Sequence, residues 1–92
     1  MTEIFKVVQQ GEALAVQSRT SETGQTLRCT LVLQEIGGKY ADQYVCTMLG
    51  TMAECRFYNG DMVVASLRFT AHEHGGAFYQ DVMVNEIVKI NH

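Results

Sequence analysis

Apolar and polar residues alternate along much of this chain, and the alternation predicts β-strands. In the segment Leu27–Ile36, one parity is apolar and the other is mostly polar. Successive side chains of a strand point to opposite faces, so a period of two predicts a strand with one buried face. The segment Met62–His72 repeats the pattern. The residues expected to face the interior are Leu27, Cys29, Leu31 and Leu33 in the first segment and Val63, Ala65, Leu67 and Phe69 in the second.

Three further segments have the β-branched and aromatic composition of strands. The chain opens with one, Ile4–Val16, in which Gly11 indicates a bulge or a bend within a single curved strand. Another begins within residues 39–43 and ends at Leu49, and the last spans Phe78–Ile90. We expect inward side chains at Val45, Thr47, Leu49, Val82, Val84 and, beyond a bulge, Ile87, and outward side chains at Tyr44, Cys46 and Met48.

Glycine-rich and polar stretches separate these strands and predict the turns. The segment Thr51–Phe57 breaks the β pattern and predicts one or two helical turns that close one end of the sheet with Met52 and Phe57. Thr51 is the expected N-cap, and Glu54 stands at the spacing of a capping box. Turns or loops are predicted at residues 17–25, 37–38, 58–61 and 73–76.

Five strands with one short helix between the third and the fourth is the layout of the OB-fold. This fold is a five-stranded Greek-key barrel that binds oligonucleotides or oligosaccharides on the face of its second and third strands. The 92 residues suffice for one domain, so the sequence predicts an all-β chain forming a single OB-fold domain over residues 1–92.

Composition narrows the possible functions. No apolar stretch is long enough to span a membrane, and the first residues lack the features of a signal peptide, so the cytoplasm is the expected location. The three cysteines lack the paired spacing of a zinc site and are expected to be reduced, and His72 and His74 have no evident third ligand. No phosphate loop, nucleophile motif or metalloprotease motif occurs, so we expect neither an enzyme nor a cofactor.

The second half of the chain carries motifs of a known family. Gly60-Asp61-Met62-Val63 follows the short helix and opens the fourth strand, and Phe78-Tyr79-Gln80-Asp81-Val82 opens the fifth. This order resembles the second half of bacterial single-stranded-DNA-binding proteins, and the whole chain is similar to small stand-alone OB domains of that kind. The resemblance implies a domain that binds single-stranded DNA or RNA with weak sequence preference and self-associates as a dimer or tetramer.

Single-stranded nucleic acid is bound by cations that contact phosphates and by flat side chains on which bases stack. On the expected binding face, Arg28 and Tyr44 lie on the second and third strands, and Tyr79 lies beside the last hairpin. The residues predicted to bind nucleic acid are Arg19, Arg28, Lys39, Tyr40, Tyr44 and Tyr79. His72, His74 and Phe78 are expected near them, although Phe78 suits the core or the end of the barrel better than a stacking position.

A second interpretation is a protein-interaction or oligomerisation module that does not bind nucleic acid. The net charge of −3 and the absence of tryptophan favour it, because phosphate binding recruits a basic surface and base stacking recruits aromatic rings. Tyr40 and Tyr44 could equally half-bury their rings at the rim of the core. Four residues expected to be outward and apolar suggest a subunit interface: Met48, Met62, Val64 and Met83.

Overall fold

The computed structural model describes residues 1–17, 24–37 and 41–90. Six strands and one short 3-10 helix account for most of this part of the chain. In order they are β1 (Thr2–Gln10), β2 (Leu14–Gln17), β3 (Gln25–Glu35), β4 (Gln43–Leu49), the 3-10 helix (Gly50–Glu54), β5 (Met62–His74) and β6 (Ala77–Lys89). The fold of the described residues is therefore all-β, as predicted.

The strands form one sheet in the order β1-β5-β6-β4-β3-β2, and β1 also pairs with β3. All pairings are antiparallel except that of β4 with β6, which is parallel. The series of pairings β1-β5-β6-β4-β3 thus returns to β1 and gives a barrel-like sheet. Among the described residues, no helix has the length and apolar character needed to cross a membrane.

β1 pairs with two different strands because its pairing is irregular at its centre. Its first half pairs with β5, its second half pairs with β3, and a register shift separates Val7 from Gln9. β2 then pairs with the beginning of β3, and between the two strands the Gly11 amide donates to the Thr30 carbonyl at 2.9 Å. β1 and β2 therefore follow one another along β3, which confirms the prediction of one curved strand interrupted near Gly11.

The core lies inside this sheet and is filled by the predicted faces of β3 and β5. Leu31, Leu33 and Val63 are fully buried, and Leu27 packs at the margin of the cluster. Phe69 was expected inside but is 40% exposed, because β5 continues at that point beyond the packed part of the sheet. The remaining fully or nearly buried apolar side chains are Phe5, Val7, Cys29, Cys46, Met48, Ala53, Phe57, Ala65, Leu67 and Val84.

The predicted orientation of β4 is wrong. Cys46 and Met48 are fully buried, whereas Val45, expected inside, is 65% exposed. The register explains the inversion, since Leu31 pairs with Cys46 and Cys29 pairs with Met48. Directly paired residues share a face of the sheet, so the buried parity of β3 dictates that of β4. Burial also raises the pKa of the Cys46 thiol to about 11.

The segment between β4 and β5 matches its prediction in position but not in its cap. The 3-10 helix begins at Gly50, its N-cap residue is Leu49, and no side chain caps it, so the predicted Thr51–Glu54 capping box is wrong. Met52 and Phe57 do pack on the core as expected. The helix begins one residue before Thr51, so Thr51 lies within its first turn and cannot serve as its N-cap.

The turn at residues 58–61 is confirmed and is fixed by several hydrogen bonds. The Asp61 carboxylate accepts from the Tyr58 amide at 2.8 Å, and the Asp61 amide donates to the Tyr58 carbonyl at 3.0 Å. The Gly60 amide donates to the Val7 carbonyl, and the Val7 amide donates to the Asp61 carbonyl, both at 2.8 Å. The turn therefore pairs with β1 at the point where β1 changes partner.

β5 and β6 form a long hairpin with a two-residue turn at Gly75-Gly76. Both glycines have positive φ, 62° and 84°, the conformation of a type I′ turn. Near the other end, Leu67 pairs with Val84 and Ser66 pairs with Glu86, which leaves Asn85 as a bulge. This confirms the bulge predicted before Ile87, which packs against the core.

The two ends of this hairpin have different environments. Its base packs in the core, whereas every residue from Ala71 to Asp81 is exposed, a stretch we call the hairpin tip. Phe78 is 76% exposed at the tip. Its expected place at the end of the core is therefore wrong, because the hairpin extends past the last buried pairs of the sheet.

Candidate nucleic-acid interface

The outward side chains of β3, β4 and β6 enclose a shallow pocket, which we call the outer groove. The β3–β4 register sets Arg28 opposite Leu49 and Thr30 opposite Thr47, and the parallel β4–β6 contact sets Thr47 beside Met83. The pocket has a volume of about 300 Å³ and is lined by Val16, Thr26, Arg28, Thr47, Leu49, Asp81 and Met83.

The hairpin tip extends this surface away from the sheet. Thr70 pairs with Asp81 and His72 pairs with Tyr79, so these four side chains continue the outward face of β6 beyond Met83. The rings of His72 and Tyr79 stack with centroids 5.7 Å apart and an interplanar angle of 27°. His72 Nδ1 lies 3.3 Å from Asp81 Oδ2, which holds the imidazole against the strand.

Charge on this surface is mixed but more positive than the chain as a whole. Arg28 lines the groove, and Arg68 is an exposed residue whose strand partner, Met83, belongs to the lining. Asp81 is the carboxylate in the lining, and its neighbour His72 partly offsets its charge whenever the imidazole is protonated. The charge of this surface therefore differs from the net charge of −3 of the whole chain.

Two of the six predicted binding residues lie on this surface. Arg28 is exposed in the outer groove, and Tyr79 is 51% exposed on the adjoining tip. Arg19, Lys39 and Tyr40 lie outside the described residues, as does most of the predicted loop 17–25.

The prediction of Tyr44 as an outward residue is wrong, and the alternative of a half-buried ring at the rim of the core is confirmed. Its ring meets Phe5 and Phe69 edge to face at 5.8 and 6.1 Å, and its hydroxyl donates to Glu35 Oε1 at 2.6 Å. Tyr44 pairs with Leu33 and shares its inward face. The hydrogen bond to the Glu35 carboxylate, with some desolvation, raises the pKa of Tyr44 to about 12.

Of the seven residues that line the groove, only Arg28 is among the predicted binding residues. Met83 is expected at a subunit interface and Asp81 is not predicted as a site residue, yet both line the groove beside Arg28. Their signal was present in the sequence, because Tyr79, Asp81 and Met83 share one parity of a strand. The assignment of Tyr79 to an outward face required the same assignment for the other two.

The combined surface brings aromatic, apolar and cationic groups together. It offers an exposed aromatic pair, an apolar floor of Leu49 and Met83, and the Arg28 guanidinium group. Base stacking on an exposed ring and phosphate contacts to arginine need no catalytic group. Within the residues that the structure describes, no three His, Cys, Asp or Glu side chains gather in a metal-binding arrangement.

Comparison with known proteins adds no relative to this picture. No protein-family model matches the chain, and no curated protein matches it significantly.

Proposed function

We propose that this chain is an OB-fold domain that binds single-stranded DNA or RNA in the outer groove, without catalysis and with weak sequence preference. The strand pairings support the OB-fold assignment. With β1 and β2 counted as one curved strand, five strands pair in a closed series, and the 3-10 helix falls between the third and the fourth. The OB-fold binds oligonucleotides on its second and third strands, which here are β3 and β4.

One observation carries the functional proposal. The pocket on the outward face of β3 and β4 is continuous with the exposed His72–Tyr79 stack of the hairpin tip, and Arg28 lies within it. In the OB-fold the loop between the fourth and fifth strands belongs to the binding surface. The stack would hold bases, and Arg28 and Arg68 would contact phosphates. Since these contacts address the backbone and the faces of bases, they would discriminate little between sequences.

A tyrosine-fluorescence titration with oligo-dT tests this function. We expect quenching at low salt and an affinity that falls as salt rises, because phosphate contacts release counterions. The variant Arg28→Gln should bind more weakly, and its plot of log affinity against log salt should be shallower by about 0.7, the value for one phosphate contact on a single strand. The matched control is Arg56→Gln, which removes an exposed cation outside the groove lining.

The absence of quenching, or quenching that salt does not change, would contradict nucleic-acid binding. An oligoribonucleotide of the same length in parallel titrations shows whether DNA or RNA is preferred. Oligonucleotides of other bases should bind with similar affinity if the sequence preference is weak.

The alternative function is an OB-fold assembly module that does not bind nucleic acid. It is favoured by a second exposed surface, the outward face of β1 and β5, on which Ile4 is 48% exposed, and by the net charge of −3. A stable oligomer that leaves oligo-dT unbound would support it. A cytoplasmic location and the lack of enzymatic activity remain predictions from the sequence.

A further inference from the structure

The outward side chains of β1, β5 and the end of β6 form an exposed apolar patch, which we call the apolar face. Ile4 pairs with Val64, and Val64 pairs with Val88, so three branched side chains form a row across three strands. Ile4 is 48% exposed and Val88 is 63% exposed. Met62 and Ile90, which is 47% exposed, extend the patch, and the Ile90 amide donates to the Met62 carbonyl at 2.9 Å.

This patch exists because of the bulge at Asn85. Before the bulge the outward residues of β6 are odd-numbered, including Asp81 and Met83 of the groove. After it they are even-numbered, so that Glu86 and Val88 point outward while Ile87 packs against the core. One strand thereby contributes to two separate outer surfaces, and the apolar face shares no residue with the outer groove.

Charges border the apolar row at two opposite corners. Lys6 pairs with Met62 at the β1 corner on one side of the row, and Glu86 pairs with Ser66 at the β6 corner on the other side. Both are exposed, and neither forms an ion pair within the described part of the chain. The positive and the negative corner are therefore diagonally opposite, with Val64 between them.

We propose that the apolar face binds a second copy of this chain in a symmetric, face-to-face dimer. In such a dimer the two-fold axis lies in the plane between the two sheets, and residues on either side of it exchange places. An axis that passes over Val64, perpendicular to the diagonal from Lys6 to Glu86, brings Lys6 of each copy to Glu86 of the other. The same axis brings Val88 close to Met62 of the other copy, whereas Ile4 comes to lie near Ser66.

This complementarity is what selects a second copy as the partner. Monomeric proteins seldom expose a large apolar patch, and an isologous interface must match itself. With ordinary strand spacings, the axis makes the strands of the two copies cross at about 70°. That angle is nearer to the orthogonal than to the aligned class of sheet packing. The dimer does not depend on nucleic-acid binding.

Two valines of similar exposure provide the first test, by sedimentation velocity over a range of concentrations. Val88 on the apolar face is 63% exposed, and Val45 on the outward face of β4 is 65% exposed. The wild-type protein should sediment as a dimer or a larger even-numbered oligomer. Val88→Lys should raise the dissociation constant of the pair at least about tenfold, since an unpaired charge would enter the apolar contact. Val45→Lys should leave it unchanged.

A charge exchange provides the second test and addresses the geometry. Lys6→Glu and Glu86→Lys should each weaken the dimer several-fold, because each places like charges at both corners. The double variant Lys6→Glu/Glu86→Lys should restore the wild-type dissociation constant, because the corners are again complementary. Circular dichroism on all variants separates loss of association from loss of folding.

Several outcomes would overturn this inference. A wild-type chain that is monomeric at the highest soluble concentration excludes the second copy as the occupant. A folded Val88→Lys protein that dimerises like the wild type excludes this face. A double charge variant no tighter than either single variant excludes the proposed axis. Titration with oligo-dT distinguishes these results from failure of the proposed function, because the groove can bind in a monomer.

Discussion

The base and the tip of the β5–β6 hairpin belong to the same two strands but have different roles. At the base, Val63 and Ala65 are fully buried and Leu67 is 2% exposed. At the tip, Phe78 is 76% exposed and Tyr79 is 51% exposed, although the two strands remain paired from the bulge at Asn85 to the end of the hairpin. Backbone hydrogen bonds are thus common to both regions, and only burial distinguishes them. We infer that the base stabilises the fold, whereas the aromatic side chains of the tip are available to a ligand.

The largest difference between the two regions is expected from truncation of one large apolar side chain in each. Leu67→Ala at the base should lower the free energy of unfolding by about 2–5 kcal/mol, because it leaves a cavity in the core. Phe78→Ala at the tip should change it by no more than about 0.5 kcal/mol, because that ring is mostly in water. Urea denaturation of the three proteins measures both effects. Similar decreases in the free energy of unfolding for the two variants would mean that the Phe78 ring is buried in solution.

The opposite ranking is expected for nucleic-acid binding. Tyr79→Ala should weaken oligo-dT binding by about 1–3 kcal/mol, the contribution of one stacked base, and leave the free energy of unfolding nearly unchanged. The matched control is Tyr58→Ala, because Tyr58 is 66% exposed but lies in the turn below the hairpin base. A fluorescently labelled oligonucleotide is the suitable probe, since both variants lose an intrinsic fluorophore. Equal weakening by both variants would contradict a specific role for the tip.

The difference between base and tip also explains which parts of the fold the sequence could predict. In β3 and β5 the outward parity contains several polar residues, such as Arg28 and Thr30 or Ser66 and Arg68, so the buried parity of Leu31 or Leu67 could be read from the alternation. β4 runs Tyr44-Val45-Cys46-Thr47-Met48-Leu49, and both parities are apolar enough to face a core. Only the register with β3 decides between them, and a register is a tertiary property that local alternation does not contain.

The candidate site, like the fold, could be predicted only in part from the sequence. The outward parity of β3 identified Arg28, and the aromatic start of β6 identified Tyr79. Tyr44 was misassigned together with the rest of β4. The length of the hairpin beyond the core could not be inferred, because Phe69 and Phe78 have the same apolar character as buried residues. Their exposure follows from where the other strands end.

Two aspartates allow the same comparison for polar contacts. Asp61 at the base has a side chain only 12% exposed, accepts from the Tyr58 amide at 2.8 Å and lies 3.4 Å from Lys89 Nζ. Asp61→Ala should cost about 1–2 kcal/mol in the free energy of unfolding, because it leaves the Tyr58 amide without its acceptor.

Asp81 at the tip serves as the control for that substitution. Its side chain is 49% exposed, and Oδ2 lies 3.3 Å from His72 Nδ1. Exposed ion pairs contribute little to stability, so Asp81→Ala should change the free energy of unfolding by less than about 0.5 kcal/mol. If Asp81→Ala proved the more destabilising of the two, the hairpin tip would be part of the cooperative fold. The contrast between tip and base would then be wrong.

A further expected effect is a pH dependence at the boundary between base and tip, where the Tyr44 ring contacts Phe69. The Glu35 carboxylate accepts from the Tyr44 hydroxyl and raises its pKa from 10.0 to about 12. Between these two values the unfolded chain has released the phenolic proton while the folded chain retains it. Stability from this contact is therefore complete below pH 10 and is lost as the pH rises toward 12. Tyr44→Phe should remove this part of the alkaline decline in the urea midpoint.

Cys46 provides the internal reference for that measurement. Its buried thiol, with the pKa raised from 9.0 to about 11, also lowers stability at alkaline pH, but in an earlier window. Tyr44→Phe should leave the decline between pH 9 and 10 intact and flatten the curve above it. Difference titration of tyrosinate absorbance should show that the phenol lost in the variant is one that ionises near pH 12. A lost phenol that ionises near pH 10 would mean that the bond to Glu35 is not maintained in solution, and Tyr44 would then be free to turn toward solvent beside the tip.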